Sequence, residues 1–267
     1  MLLMDNGSLE PESTLQLRKL AAALSDRISL RVDPVSLAHS AKIPREAIDG
    51  RPAELFEAAL DRGWREGVQE FVAVPLFVGP SHAITRHAAG LIEERRRQIK
   101  GFRARIAPPL YVAGDQRLGK ILADNVRDEM TPGAQPRVAL VDHGSPNPEV
   151  TTVRDQLARE VRNLLGAAVS DVQPCSMERR EGPEYDFNEP LLRTLLSRPD
   201  WKNQSVVLGM LFIAPGKHAG PDGDIVNICR EACGGDIASI KLTKLIGQHP
   251  LLIDILADRA EQQATLA

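Results

Sequence analysis

The chain has 267 residues, a formal net charge of −3, and 43 % hydrophobic, 26 % charged and 4 % aromatic residues. This is globular composition, enough for one large domain or two ordinary ones, and it argues against a duplex-binding or base-stacking protein. The longest apolar runs, around Phe71–Val78 and Val206–Pro215, are about ten residues, too short for a bilayer span, and three cysteines, Cys175, Cys229 and Cys233, argue against a disulfide scaffold. The expectation is a cytoplasmic protein with no nucleic-acid partner and no membrane partner.

In chain order, the first half predicts strands at Met1–Met4, Arg27–Val32, Phe71–Val78 and Phe102–Ile106, with Pro11-Glu12 opening a helix after the first. Thr131–Pro136 is a Pro/Gly linker. The second half begins with a short β-branched strand, Arg137–Asp142. A helix follows, with Val150, Val153, Leu157, Val161 and Leu164 at spacings of three and four. Ala168–Val172 predicts a strand and Phe187–Ser197 a helix with Leu191, Leu192, Leu195 and Leu196 available for a core. Ser205–Ile213 reads as a strand buried on both faces. Ile225–Cys233 predicts a helix, Ile237–Leu242 a strand and Pro250–Gln263 the closing helix.

The chain is a duplication. Leu3-Met4-Asp5-Asn6-Gly7-Ser8 matches Leu140-Val141-Asp142-His143-Gly144-Ser145, and Pro11-Glu12 matches Pro148-Glu149. Val74–Ala83 matches Gly209–Ala219, and Ile121–Asp124 matches Ile255–Asp258. Three collinear blocks at nearly one offset define halves 1–133 and 134–267. Alternating strands and helices imply an α/β fold with a parallel sheet in each half. Functional groups then belong where strands end and helices begin.

His143 and His218 both fall at such ends. Neutral imidazole ligates divalent cobalt, iron, nickel and zinc, and is a base near neutral pH. Glu178 lies in the loop after the second strand of this half, and Glu189 precedes Pro190 at a helix start, where a capping role competes with a functional one. The first half lacks the set. Asn6 replaces His143, Ala38 stands against Glu178, and Arg51-Pro52 is set against Glu189-Pro190, while His82 remains opposite His218. One working site, in the second half, is the direct inference. Cys229 and Cys233 read as small buried hydrophobes, His39 and His87 as surface residues and His249 as structural. No Walker or G-x-G-x-x-G motif occurs, so no nucleotide cofactor is expected.

Val141–Ser145, Asn188-Glu189-Pro190, Leu211–Gly220 and Gly247–Leu251 resemble the class II sirohydrochlorin chelatases, in the fused two-domain CbiX- and SirB-like long form. The resemblance covers nearly the whole chain. It implies two chelatase-like, flavodoxin-like parallel-sheet domains related by a pseudo-two-fold, fused so that a monomer needs no partner chain. It implies insertion of a divalent metal, as substrate, into an anionic tetrapyrrole. Cobalt is foremost, with nickel or iron as alternatives. His143 and His218 match the family's active-site histidines, which would hold the metal, and Glu178 its acidic residue. Ser145, Lys217, Arg179, Arg180 and Glu189 are the candidate substrate-binding residues, the cations meeting peripheral carboxylates. The competing reading is a metal or tetrapyrrole carrier without turnover. Two features depart from the pattern: Asn6 in the first half, and the insertion Arg179–Phe187 after Glu178.

Overall fold

Each repeat supplies four parallel strands to a sheet of its own in the computed structural model, which describes residues 1–264. The first repeat contains β1 (Leu2–Asp5), α1 (Pro11–Ile28), β2 (Asp33–Ser36), α2 (Phe56–Arg65), β3 (Glu70–Pro75), α3 (Ala89–Gln98), β4 (Arg103–Ile106) and α4 (Arg117–Glu129). The second contains β5 (Arg137–Asp142), α5 (Pro148–Leu165), β6 (Asp171–Ser176), α6 (Leu192–Leu196), β7 (Val206–Met210), α7 (Asp224–Ala232), β8 (Ile240–Leu242) and α8 (Leu251–Ala264). Strand order is β2-β1-β3-β4 in one sheet and β6-β5-β7-β8 in the other. Helices cover both faces, which is why the inner strands are apolar without alternation: Val138, Ala139, Leu140 and Val141 are all fully buried. No described helix is long and apolar enough to cross a membrane.

The packed bodies do not follow the repeat boundary at 133/134. One unit comprises Met1–Val112 and Pro250–Ala267, the other Ala113–His249. In unit 1, α8 lies on α1 and β3. Buried Arg259 there donates to the carbonyls of Pro109 and Leu110, at 3.2 and 2.9 Å. In unit 2, α4 lies on α5 and β7, and Asn125 donates to the Lys244 carbonyl at 3.2 Å. Each repeat thus lends its last helix to the other's sheet. Sequence periodicity gives a helix its apolar face but not the sheet that covers it.

Local differences from the sequence reading have backbone causes. The strand expected at Arg27–Val32 is the end of α1, closed by Ser29 with φ 54°, and the strand starts at Asp33 instead. Pro34 sits within it, tolerated because β2 is an edge. The strand expected at Ala168–Val172 is shifted to Asp171–Ser176, so Glu178 follows it by two residues. The helix expected at Phe187–Ser197 is split: a 3₁₀ segment, Pro183–Asn188, precedes an extended Glu189 and the short α6. On α5 the buried stripe is Val153, Leu157, Val161 and Leu165, with Leu164 exposed and Arg154 inside the core.

Candidate active site

The parallel order sets the carboxyl ends of β5 and β7 side by side, where α/β sheets form crevices. His143 follows β5 at once. The next residue, Gly144, has φ 94°, and a Cβ on it would lie 1.9 Å from the Glu178 carbonyl oxygen. Only glycine lets the β5 turn touch the β6 loop this closely. Two backbone bonds lock the contact: Met177 N–H donates to the Asp142 carbonyl at 2.7 Å, and Glu178 N–H to the His143 carbonyl at 3.2 Å. The result is Glu178 Oε1 3.4 Å from His143 Nε2.

His218 reaches the same place from the loop after β7. That loop folds back on the start of α7, where Ile225 N–H donates to the His218 carbonyl at 3.3 Å. Asp224, the first residue of α7, places Oδ2 2.7 Å from His218 Nδ1. A carboxylate there holds the proton on Nδ1, orients the ring and leaves Nε2 with its lone pair. His143 Nδ1 lies 3.2 Å from the Gly144 carbonyl, which assigns it the same tautomer. The two rings meet edge to face, centroids 4.7 Å apart at 71°. His143 is about half exposed, Glu178 more so, and His218 is 31 % exposed. Among the described residues no three His, Cys, Asp or Glu side chains converge as a metal cage.

The floor beneath His143 is polar and buried. Asp142 Oδ1 accepts from Ser176 Oγ at 2.6 Å and Gly144 N–H at 3.0 Å. Burial pushes its carboxyl above the usual range, and the Arg154 guanidinium opposes that shift.

The other predicted residues divide. Lys217 is exposed, its Nζ 3.8 Å from Asp224 Oδ2, so it borders the histidine pair. Arg180 is stacked 5.9 Å over the Tyr185 ring. Arg179 and Glu189 bond to each other at 2.8 Å. Arg179 also pairs with Asp186 and donates to the carbonyls of Arg180 and Gly182, so it organises its own insertion. Glu189 Oε2 accepts the Leu191 N–H at 2.9 Å, a local turn bond two residues ahead of the α6 N-cap, which is Leu191 and has no side-chain cap bond. Ser145 N–H donates to Asn188 Oδ1 at 2.9 Å, and its hydroxyl accepts from Asn147 N–H at 3.0 Å. Asp224 and Arg154 were not anticipated. The first gave only a weak signal, a carboxylate opening the helix after His218; the second gave the odd charge on an apolar helical stripe.

Unit 1 builds the same turn without the chemistry. Leu37 N–H donates to the Asp5 carbonyl at 2.9 Å and Ala38 N–H to the Asn6 carbonyl at 3.2 Å. A Cβ on Gly7 would lie 1.8 Å from the Ala38 carbonyl oxygen. Asn6 and Ala38 therefore stand where His143 and Glu178 stand. The bridges Ser36–Leu55 and Ser176–Leu191 correct one alignment: Ala53-Glu54, not Arg51-Pro52, lies opposite Glu189-Pro190. His82 is half-buried before the helical turn Ala83–Ala88.

The fold is that of the chelatases. Two structures of SirB from Bacillus subtilis, one with Fe3+ and one, from subspecies spizizenii, in complex with cobalt, are each 16 % identical to this chain. They superpose with TM-scores of 0.72 and 0.73, covering 98 % and 99 % of it and 94 % of themselves. CbiX, described as the terminal enzyme for siroheme biosynthesis in denitrifying bacteria, is 17 % identical with a TM-score of 0.63, covering 100 % of this chain and 99 % of its own. No curated protein sequence matches. Residues 137–263, just under half of the chain, match the CbiX family, so the likeness to these chelatases is one of sequence over the second repeat and of fold over the whole chain.

Proposed function

We propose that unit 2 inserts a divalent metal into sirohydrochlorin or a closely related anionic tetrapyrrole, with cobalt as the foremost metal, as a single cytoplasmic chain. The observation that carries this reading is the meeting of His143 and His218 at neighbouring strand ends, centroids 4.7 Å apart, with Glu178 beside the first. The metals named with the SirB structures and the siroheme role named for CbiX support it.

Insertion must strip water from the metal and remove two pyrrole protons. Two imidazoles presenting Nε2 lone pairs, that of His143 beside the Glu178 carboxylate, hold a metal by part of its coordination shell and leave the rest to water or the incoming macrocycle. That suits a metal that is a substrate and has to leave. As the macrocycle nitrogens take the metal, the freed imidazoles accept the pyrrole protons, and exposed Glu178 passes them to solvent. Lys217 and Arg180 meet the carboxylates of the substrate rim. The test is absorbance spectroscopy of sirohydrochlorin with Co2+, Ni2+ and Fe2+ in turn. Acceleration that disappears in His143→Ala and His218→Ala supports the reading. Metal binding without acceleration assigns the protein as a carrier.

A further inference from the structure

Arg154 is fully buried on α5, yet nothing in the reaction requires a cation there. Its Nη1 donates to Ser176 Oγ at 2.6 Å and to the Asn188 carbonyl at 3.0 Å, and lies 3.8 Å from Asp142 Oδ1. One guanidinium thus ties together three chain segments. The end of β5 carries His143, the end of β6 carries Glu178, and the loop at Asn188 holds the Ser145 backbone through N–H and C=O, at 2.9 and 3.0 Å. Taking a guanidinium and a carboxylate out of water is costly, and an apolar residue of similar volume commonly stabilises a fold as well or better. The Arg154 Nε and Nη2 also pair with Asp155 Oδ1 at 2.9 Å, so the guanidinium is compensated, and what calls for a reason is the placement of its third nitrogen at two strand ends.

Unit 1 is an internal control. α1 and α5 are both 18-residue helices that begin with proline, and the seventh residue is Leu17 in one and Arg154 in the other. Both are buried. The turn of unit 1 still forms, with Gly7 N–H on Asp5 Oδ1 at 2.9 Å and Ser8 N–H on Ser40 Oγ at 3.2 Å. The turn therefore does not need the arginine. Unit 1 keeps an arginine on its loop, since Arg18, one residue after Leu17, donates to the Ile48, Arg51 and Pro52 carbonyls; what accompanies His143 and Glu178 is the buried guanidinium at Ser176 and Asp142, where the unit with Asn6 and Ala38 has Leu17.

We infer that Arg154 is a positioning residue for metal insertion: by joining Asp142, Ser176 and Asn188 it fixes the ends of β5 and β6 so that His143 faces Glu178. This deepens the reading of the site as a chelatase centre and rests on it. Fixing the strand ends limits the wandering of the acceptor imidazole relative to the relay carboxylate, so its effect falls on turnover and not on tetrapyrrole binding.

The experiment uses the full-length chain with Arg154→Leu, the residue unit 1 tolerates, and Arg154→Lys. Two readouts are taken: steady-state insertion of Co2+ into sirohydrochlorin, and the ring 1H–15N resonances of His143 in the metal-free protein. R154L is expected to melt cooperatively, with kcat reduced about tenfold or more and KM for the tetrapyrrole little changed. The His143 resonances move while those of His82 and His249 stay. R154K reaches one acceptor but not the whole set, and recovers part of kcat. Unchanged kcat together with unmoved His143 resonances in R154L overturns the inference, as does a loss confined to KM. If R154L does not fold, R154K is judged by the same pair of readouts. If the wild-type chain inserts no metal, the chelatase reading fails by that result alone, and the His143 resonances still decide whether Arg154 positions the ring.

Discussion

Asp224 offers the sharpest perturbation of the histidine pair. Its Oδ2 lies 2.7 Å from His218 Nδ1 and 3.8 Å from Lys217 Nζ. Removing a carboxylate that orients a metal-binding imidazole costs 10–100-fold in affinity or activity, about 1.4–2.7 kcal/mol. The pair is partly exposed, with His218 at 31 % and Asp224 at 39 %, and water replaces part of what is lost. Asp224→Ala should therefore lie near the lower end, about tenfold in kcat/KM. Asp224→Asn keeps an acceptor oxygen without the charge and should fall between wild type and alanine. Asp224 also opens α7, where a carboxylate contributes about 0.3–1 kcal/mol to the helix, so a thermal melt of each variant separates folding from function. The assay is the initial rate of cobalt insertion followed by absorbance. An Asp224→Ala protein within twofold of wild type would refute the claim that this bond sets the His218 ring.

Three further outcomes are expected. His143→Ala and His218→Ala should lower insertion by orders of magnitude with the fold intact, while His82→Ala changes it little; equal loss from His82→Ala, in the same rate assay, would mean unit 1 also works. Isolated residues 1–133 should be inactive and, lacking the buried Leu252, Ile255 and Leu256 of α8, should show no cooperative melt by circular dichroism; Asn6→His in the full chain should add no second site, because Ala38 supplies no carboxylate. Desolvation lifts the Asp5 carboxyl from 3.8 to about 6 against hydrogen bonds from Ser36 and Gly7. The folded state therefore binds this proton more tightly than the unfolded one, and Asp5 supports stability below about pH 4 and loses that support as pH rises through about 6. Asp5→Asn should flatten this part of the pH profile in urea titrations; an unaltered profile would contradict the assignment.

Much of the site was legible because it is built from strand ends. The repeat Asp-x-Gly-Ser fixed the turn in both halves, and the two histidines fell on neighbouring strands once the sheets were parallel. The contrast of Asn6 and Ala38 with His143 and Glu178 is geometrically true, since the same two backbone bonds hold both turns. What escaped was information carried by packing. β2 contains Pro34 and reads poorly as a strand, yet an edge accepts it. Glu189 and Arg179 looked like substrate contacts, but the insertion turns them toward each other. Arg154 showed only as a single charge on a stripe judged by its valines and leucines. The exchange of α4 and α8 between the repeats left no local trace, because the apolar periodicity of a helix does not name the sheet that covers it.

The central claim is that His143 and His218 of unit 2 act together on a metal bound for a tetrapyrrole. The direct measurement is the rate of Co2+ insertion into sirohydrochlorin by the full-length protein and by the double variant His143→Ala/His218→Ala, each compared with the rate without protein. The account predicts acceleration by the wild-type chain and a rate in the double variant equal to the uncatalysed one. Equal acceleration by wild type and double variant would contradict it.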